Sequence, residues 1–304
     1  MQCITIFPED GPHGEHFCLV CPPFGPNIAD LRRPLTLREF PLSAVKTVLK
    51  HTLLALDFLH THVNAIHLDV KAENLLVNLP INQRHISEFL RSNPPQVYAP
   101  QASRSGNPPS VTTVRSQPLP AIGLDRSMSN LHVVLGDYSS AMWVGTDFPG
   151  EHVTTPRVLR APELLLGHRW STPVDIWALG CMAFELLAPD VGPLFRMDRG
   201  SDSYTVQEHL AHIAERLGPF PPAFLAKCSK TRDYFDPSGN LRKFTRPSSD
   251  PFEVSLRGYP ALRDHLSGED VNSACRFIRR CLSIDPDDRP TAAHLLEDEF
   301  LARI

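Results

Sequence analysis

The segment His67-Leu68-Asp69-Val70-Lys71-Ala72-Glu73-Asn74 places a carboxylate, an ammonium and a carboxamide within a few residues of one another. A carboxylate can orient a hydroxyl and accept its proton. A carboxamide oxygen can ligate a hard cation without adding negative charge beside it. A lysine two residues past the Asp brings a mobile positive charge to the same place. A second carboxylate, Asp137, follows Gly136 directly after the apolar stretch Leu131-His132-Val133-Val134-Leu135. Taken singly these features are ordinary, because an Asp can cap a helix and Gly-Asp makes turns. Cys18 and Cys21 form a C-x-x-C, but no second pair at zinc-ligand spacing accompanies it among seven scattered cysteines. They read as small hydrophobes of a reducing compartment.

Several elements must position these groups. Ser43 to His62 carries Val45, Val48, Leu49, Leu53, Leu56 and Leu59 at helical spacing, with Ser43 as the expected N-cap. Ala65 to Asn78 holds two short apolar pieces around the polar loop, and Leu131 to Leu135 reads as a strand. His16 to Cys21 reads as a buried strand, ended by the stiff connector Pro22-Pro23 and Gly25-Pro26. Thr172-Pro173 opens a helix running to about Leu187, with proline at the first helical position. Further helical patterns cover Gln207 to Leu217, Val271 to Leu282 and Ala292 to Ala302. The expected fold class is α+β and helix-rich.

Composition narrows the function classes. The chain has 304 residues, 42% hydrophobic and 21% charged, which excludes a wholly disordered chain. Its net charge of −4 argues against a general nucleic-acid binder. No apolar run reaches the roughly 20 residues that span a bilayer, and the first fifteen residues do not read as a secretory signal. Leu79 to Ser129 is rich in proline and serine, with five arginines and only Glu88 and Asp125 as acids. Such a stretch buries little apolar surface and is expected to be a mostly disordered insertion, Ile86 to Leu90 forming at most a helical turn. Its Arg-Ser steps are candidate phosphorylation sites.

In order along the chain, five segments resemble the eukaryotic protein kinases. His67 to Asn74 resembles the catalytic loop H-R-D-x-x-x-x-N, and Gly136-Asp137-Tyr138-Ser139 stands in the place of D-F-G. Ala161-Pro162-Glu163 matches A-P-E, and Val174 to Gly180 (VDIWALG) matches the central helix after it. Asp285 to Ala292 (DPDDRPTA) matches the late segment whose Arg289 is expected to pair with Glu163. Arg160 before Ala161 resembles the CMGC group. Glu15 to Val20, Tyr138 to Trp143, Asp175 to Leu186 and Tyr234 to Leu241 look like the SR-protein kinases within that group.

The resemblance implies a protein-kinase-like fold and transfer of the ATP γ-phosphoryl group to protein serine or threonine. Asp69 is then the base or positioning carboxylate, Lys71 lies near the transferred phosphate, and Asn74 and Asp137 ligate Mg2+. Tyr138 takes the packing role of the D-F-G phenylalanine. Asp175 anchors the catalytic-loop backbone. The implied partners are protein substrates, Arg/Ser-rich splicing factors among them, without direct nucleic-acid or membrane binding. The implied location is intracellular, in cytoplasm or nucleus. Leu68 replaces the Arg of H-R-D, so activity should not require a phosphorylated activation loop.

The sequence also departs from the pattern. It holds no G-x-G-x-x-G and no V-A-I-K, and no lysine precedes Lys46. By the resemblance it opens at the fourth and fifth strands of the first lobe, Cys3 to Phe7 and His16 to Cys21. Residues 1–25 are then a remnant of that lobe and the hinge. Residues 26–304 are the second lobe, interrupted at 79–129. In the hinge, the Pro22 carbonyl and the Phe24 N–H are expected to meet adenine. Ser139 replaces a glycine, and Pro156 stands where the family has a Thr, with Thr155 one residue away. Asp190 to Tyr259 mixes Asp198, Asp202 and Glu208 with Arg196, Arg199, Arg232, Arg242 and Lys243, and does not read as an acidic docking groove. Two functions follow: a serine/threonine kinase of SR-protein-kinase type, or a pseudokinase-like scaffold that binds partners.

Overall fold

The computed structural model describes residues 3–11, 14–35, 39–102, 110–146, 153–195, 204–242, 250–260, 262 and 267–302. Strands β1 (Thr5–Gly11) and β2 (Gly14–Val20) form an antiparallel hairpin. Helix α1 (Ile28–Arg32) is capped by Asn27, and α2 (Leu42–Phe58) continues into a wider turn at Leu59–Val63. Strands β3 (Ala65–Ile66) and β4 (Leu75–Val77) flank the loop bearing Asp69. Helix α3 (Gln83–Ser92) and strands β5 (Gln101–Ala102) and β6 (Ser110–Val111) precede β7 (Val133–Leu135) and β8 (Met142–Trp143). The remainder is helical: α4 (Pro162–Leu166), α5 (Pro173–Leu187), α6 (Val206–Leu217), α7 (Pro222–Lys227), α8 (Thr231–Tyr234), α9 (Phe252–Gly258), α10 (Gly268–Cys281), α11 (Ala292–Leu296) and α12 (Glu299–Ala302).

Helix α5 is the hub. It is apolar on nearly every face, and its residues from Val174 to Leu187 are buried except Glu185. A helix apolar all round must be covered all round; α2 and α10 pack against it. Gly180 permits the second contact, since a Cβ there would lie 2.7 Å from the Cβ of Cys281. Helix α2 turns Val45, Val48, Leu49, Leu53 and Leu56 inward. A buried ion pair ties the far ends of this core together. Arg289 forks onto both carboxylate oxygens of Glu163, one at 2.7 Å, and its guanidinium lies over the Trp177 ring. Both side chains are fully buried, as paired charges must be when removed from water.

Some local expectations need correction. Helix α2 begins at Leu42, with Pro41 rather than Ser43 at the cap position, because Pro41 already holds an extended ψ of 143° before the first helical residue. Ala292 to Ala302 is two helices, broken where Asp298 accepts the Phe300 N–H and receives Arg280. The strand at His16–Cys21 forms but is not buried: Phe17 is 69% and Leu19 61% exposed. Apolar composition makes a strand, whereas burial needs a second layer, and none of the described residues covers this hairpin. The helical turn expected at Ile86–Leu90 lies inside the longer α3, which has a capping box at Asn82 and His85 and no buried residue. Asp198, Asp202, Arg196, Arg199 and Lys243 lie outside the described residues.

Candidate active site

The loop between β3 and β4 is held from three sides. Asp175, in the first turn of α5, accepts the backbone N–H groups of His67 and Leu68 at 2.8 and 2.9 Å. His60, from the turn ending α2, donates to the same carboxylate at 2.8 Å. The Thr155 hydroxyl donates to the Leu68 carbonyl at 2.6 Å. Leu68 is therefore gripped at both its N–H and its C=O. It needs that grip, because its φ of +68° lies in the left-handed region that a leucine adopts only at a cost of about 1–3 kcal/mol. Its side chain is buried in the core, so position 68 serves packing and strain rather than charge.

Beyond Leu68 the loop converges on Asp69. The Lys71 ammonium reaches its Oδ1 at 2.9 Å and its Oδ2 at 2.7 Å. The Asn74 amide donates to the Asp69 backbone carbonyl and to Oδ2, both at 2.8 Å. With both amide hydrogens committed to Asp69, the carboxamide oxygen of Asn74 has no hydrogen-bond partner among the described residues. The three groups that the sequence places within a few residues thus form one hydrogen-bonded unit.

Asp137 reaches this unit through strand pairing. Leu75 to Val77 pair with Leu135 to Val133, and the Gly136 N–H donates to the Asn74 carbonyl at 2.8 Å. The next residue, Asp137, has φ +54° and receives the Ser139 hydroxyl on Oδ1 at 2.6 Å. That bond, helped by the Ser139 N–H and the charge of Lys71, holds the Asp137 carboxyl below the ordinary range. The His67 ring locks the two loops together. The Asp69 N–H donates to its Nδ1 at 3.3 Å, so Nε2 carries the proton and donates to the Gly136 carbonyl at 2.9 Å. The Tyr138 ring packs edge-on against His67, and burial pushes its hydroxyl pKa up.

Asn74 and Asp137 present hard oxygens from adjacent strand ends, one neutral and one anionic. That is a donor set suited to Mg2+, which takes one or two protein oxygens and completes its shell with phosphates and water. Among the described residues no group of three or more His, Cys, Asp or Glu side chains could hold a metal. The connector bearing Pro22 and Phe24 runs beside β4: the Gly25 N–H donates to the Val77 carbonyl, and the Val77 N–H to that of Pro26. Among the described residues the Pro22 carbonyl and the Phe24 N–H have no hydrogen-bond partner.

A cavity of about 430 Å³ adjoins Lys71, lined among others by Arg32, Glu73, Pro156, Leu159 and Glu185. Burial pushes the Glu185 carboxyl up to about 7, Glu73 adds to this, and Arg32 opposes it. Arg160 holds the segment above by donating to the carbonyls of Thr155 and Val153. His60 and Glu185 have no signal in the sequence, since each acts on a partner tens of residues away, and Thr155 shows there only as a threonine one residue from its expected place.

The protein kinase domain family matches residues 126–301. Serine/threonine-protein kinase SRPK of Physarum polycephalum is 32% identical over 316 residues, covering 100% of this chain and 71% of that protein. Protein kinase dsk1 of Schizosaccharomyces pombe is 24% identical, covering 100% of this chain and 69% of its own length. Serine/threonine-protein kinase AFC2 of Arabidopsis thaliana is 27% identical over 95% of this chain and 60% of its own.

Proposed function

This chain belongs to the protein kinase family, and from that premise we propose that it transfers the ATP γ-phosphoryl group to serine or threonine hydroxyls of Arg/Ser-rich proteins. The observation that carries the proposal is the joining of two loops at the β4–β7 pairing. There Asp69, Lys71 and Asn74 form one unit, and the N–H of Gly136, the neighbour of Asp137, meets the Asn74 carbonyl. Asp69, fixed by the Asn74 amide and the Lys71 ammonium, is oriented to accept a hydrogen bond from an incoming hydroxyl and then its proton. A phosphoryl oxygen arriving beside that hydroxyl meets the Lys71 ammonium. Asn74 and Asp137 would hold magnesium, which when bound supplies positive charge to the phosphates. The Pro22 carbonyl and the Phe24 N–H would accept from and donate to adenine. The Glu73 carboxylate beside Lys71 supports an arginine-bearing substrate.

Residues 1–25 are assigned to the first-lobe strands and hinge, and 26–304 to the second lobe with its 79–129 insertion. An intracellular location, in cytoplasm or nucleus, accords with an Arg/Ser-rich splicing-factor substrate. The test is phosphorylation of an Arg/Ser peptide with Mg-ATP. Asp69→Asn should lower single-turnover transfer about 10²–10⁴-fold, and Asp137→Ala should remove magnesium-dependent ATP binding. Transfer by Asp69→Asn at the starting rate would overturn the role of Asp69.

A second reading, a partner-binding scaffold without turnover, is favoured by the Ser139 hydroxyl occupying one oxygen of Asp137 and by the proline at position 156. Peptide binding without magnesium-dependent ATP binding would select it.

A further inference from the structure

Residues 79–129 contain four Arg-Ser steps: Arg91-Ser92, Arg104-Ser105, Arg115-Ser116 and Arg126-Ser127. As sequence they are equivalent acceptors for an Arg/Ser-directed activity. The fold makes them unequal. Ser92 is the last residue of α3, its backbone helical. Ser105 lies outside the described residues. Ser127 belongs to a tight knot around Asp125. Its hydroxyl donates to Asp125 Oδ1 at 2.7 Å, and the same carboxylate takes the Ser129 hydroxyl and the N–H groups of Ser129 and Asn130. These donors pull the Asp125 carboxyl down to about 2, the Ser129 hydroxyl contributing most and Ser127 next.

Ser116 differs from Ser92 in lying outside any helix and from Ser127 in having no carboxylate on its hydroxyl among the described residues. It follows a short antiparallel ladder in which Val97 bridges Val114, the Tyr98 N–H meets the Thr113 carbonyl and the Arg115 N–H meets that of Gln96. Its neighbours grip the facing segment: Arg115 donates to Gln96 Oε1 at 3.0 Å, and Gln117 to the Pro94 carbonyl at 2.9 Å. In extended chain, side chains at alternate positions point to opposite faces. With Arg115 and Gln117 turned to residues 94–96, Ser116 faces away. It is exposed, it lies in no helix or turn, and among the described residues its hydroxyl has no hydrogen-bond partner.

We propose that Ser116 is a phosphorylation site of this protein, modified by the chain's own activity. The inference rests on the Arg/Ser-directed reading above. Ser116 Oγ forms a bond to the γ-phosphorus of ATP as the bond from that phosphorus to the β-bridging oxygen breaks. ADP leaves with that electron pair, and the hydroxyl proton passes to the Asp69 carboxylate. No helix need unwind and no carboxylate need release the hydroxyl first, as Ser92 and Ser127 would require.

The test incubates the purified full chain with Mg-ATP and reads occupancy at each serine by mass spectrometry, with an Arg/Ser peptide phosphorylated in parallel. Early occupancy of Ser116 should exceed that of Ser92 and Ser127 at least tenfold. Ser116→Ala should remove most of the early incorporation summed over Ser92, Ser116 and Ser127 while leaving peptide phosphorylation unchanged. Asp125→Ala should free Ser127 and raise its occupancy severalfold. A phosphorylated peptide with unmodified Ser116, or equal early occupancy at the three serines, would overturn the inference and leave the Arg/Ser reading standing. An unmodified peptide would remove that reading, and the inference with it.

Discussion

Asp175 and Asp125 both hold a loop by collecting donors on one carboxylate, in opposite surroundings. Asp175 takes two backbone N–H groups and the His60 ring inside the core, at the head of the most buried helix. Asp125 takes two hydroxyls and two backbone N–H groups in the open, within the proline- and serine-rich stretch. The bonds are of similar length. What differs is the alternative open to each donor when the carboxylate is removed. At Asp125 water replaces it. At Asp175 water has no access, so each N–H is left with the full cost of an unmet hydrogen bond. The contrast separates the part of the molecule that fixes geometry from the part open to modification.

The largest effect should come from the deepest charges. Arg289→Ala strands Glu163 in the core and should cost about 3–5 kcal/mol. Denaturant unfolding measures this, and a loss below about 1 kcal/mol would mean that water reaches the pair. Asp175→Asn keeps the shape but removes an acceptor from His67 or Leu68, and should cost about 2–4 kcal/mol together with much of the phosphoryl transfer. An equal stability loss in Asp125→Asn would abolish the distinction between the two carboxylates.

Glu185 tests burial without pairing. Its folded pKa, about 7, lies above the unfolded glutamate value, so the fold favours the protonated form. That contribution is full below the unfolded pKa near 4.5 and is lost as pH rises through 7. Glu185→Gln should therefore gain stability over the starting protein at pH 8, by at most about 3 kcal/mol, and little at pH 4. Identical gains at both pH values would remove burial as the cause. The smallest effect belongs to Asp125. Its folded pKa is lowered, so its contribution is present above about pH 4 and fades as pH falls through 2. Asp125→Asn should shift the unfolding midpoint slightly at pH 7 and not at pH 2, with peptide phosphorylation unchanged.

Much of the candidate site was legible because its chemistry is local. Asp69, Lys71 and Asn74 are close in sequence, and one turn of backbone brings them together whatever surrounds it. Pro173 at a helix start was legible for the same reason. Asp137 was legible as a group, but its place beside Asn74 required the β4–β7 ladder. Thr155 read as a displaced residue, whereas in the fold it holds the strained Leu68 carbonyl. The β2 strand was legible as a strand and misread as buried, because a short apolar run reports on strand preference and burial depends on what lies opposite.

The amino-acid sequence by itself determined which groups are present, their order, and the α+β character, since propensity, capping and short-range hydrogen bonds act over a few residues. Only the tertiary structure decided which groups meet and which face water. His60, His67, Thr155 and Asp175 converge on one loop from positions up to about 115 residues apart. Of the three Arg-Ser serines among the described residues, one sits in a helix, one is tied to a carboxylate and one, Ser116, lies in extended chain. Both outcomes depend on packing between distant segments, and the low dielectric of that packing sets what each contact is worth.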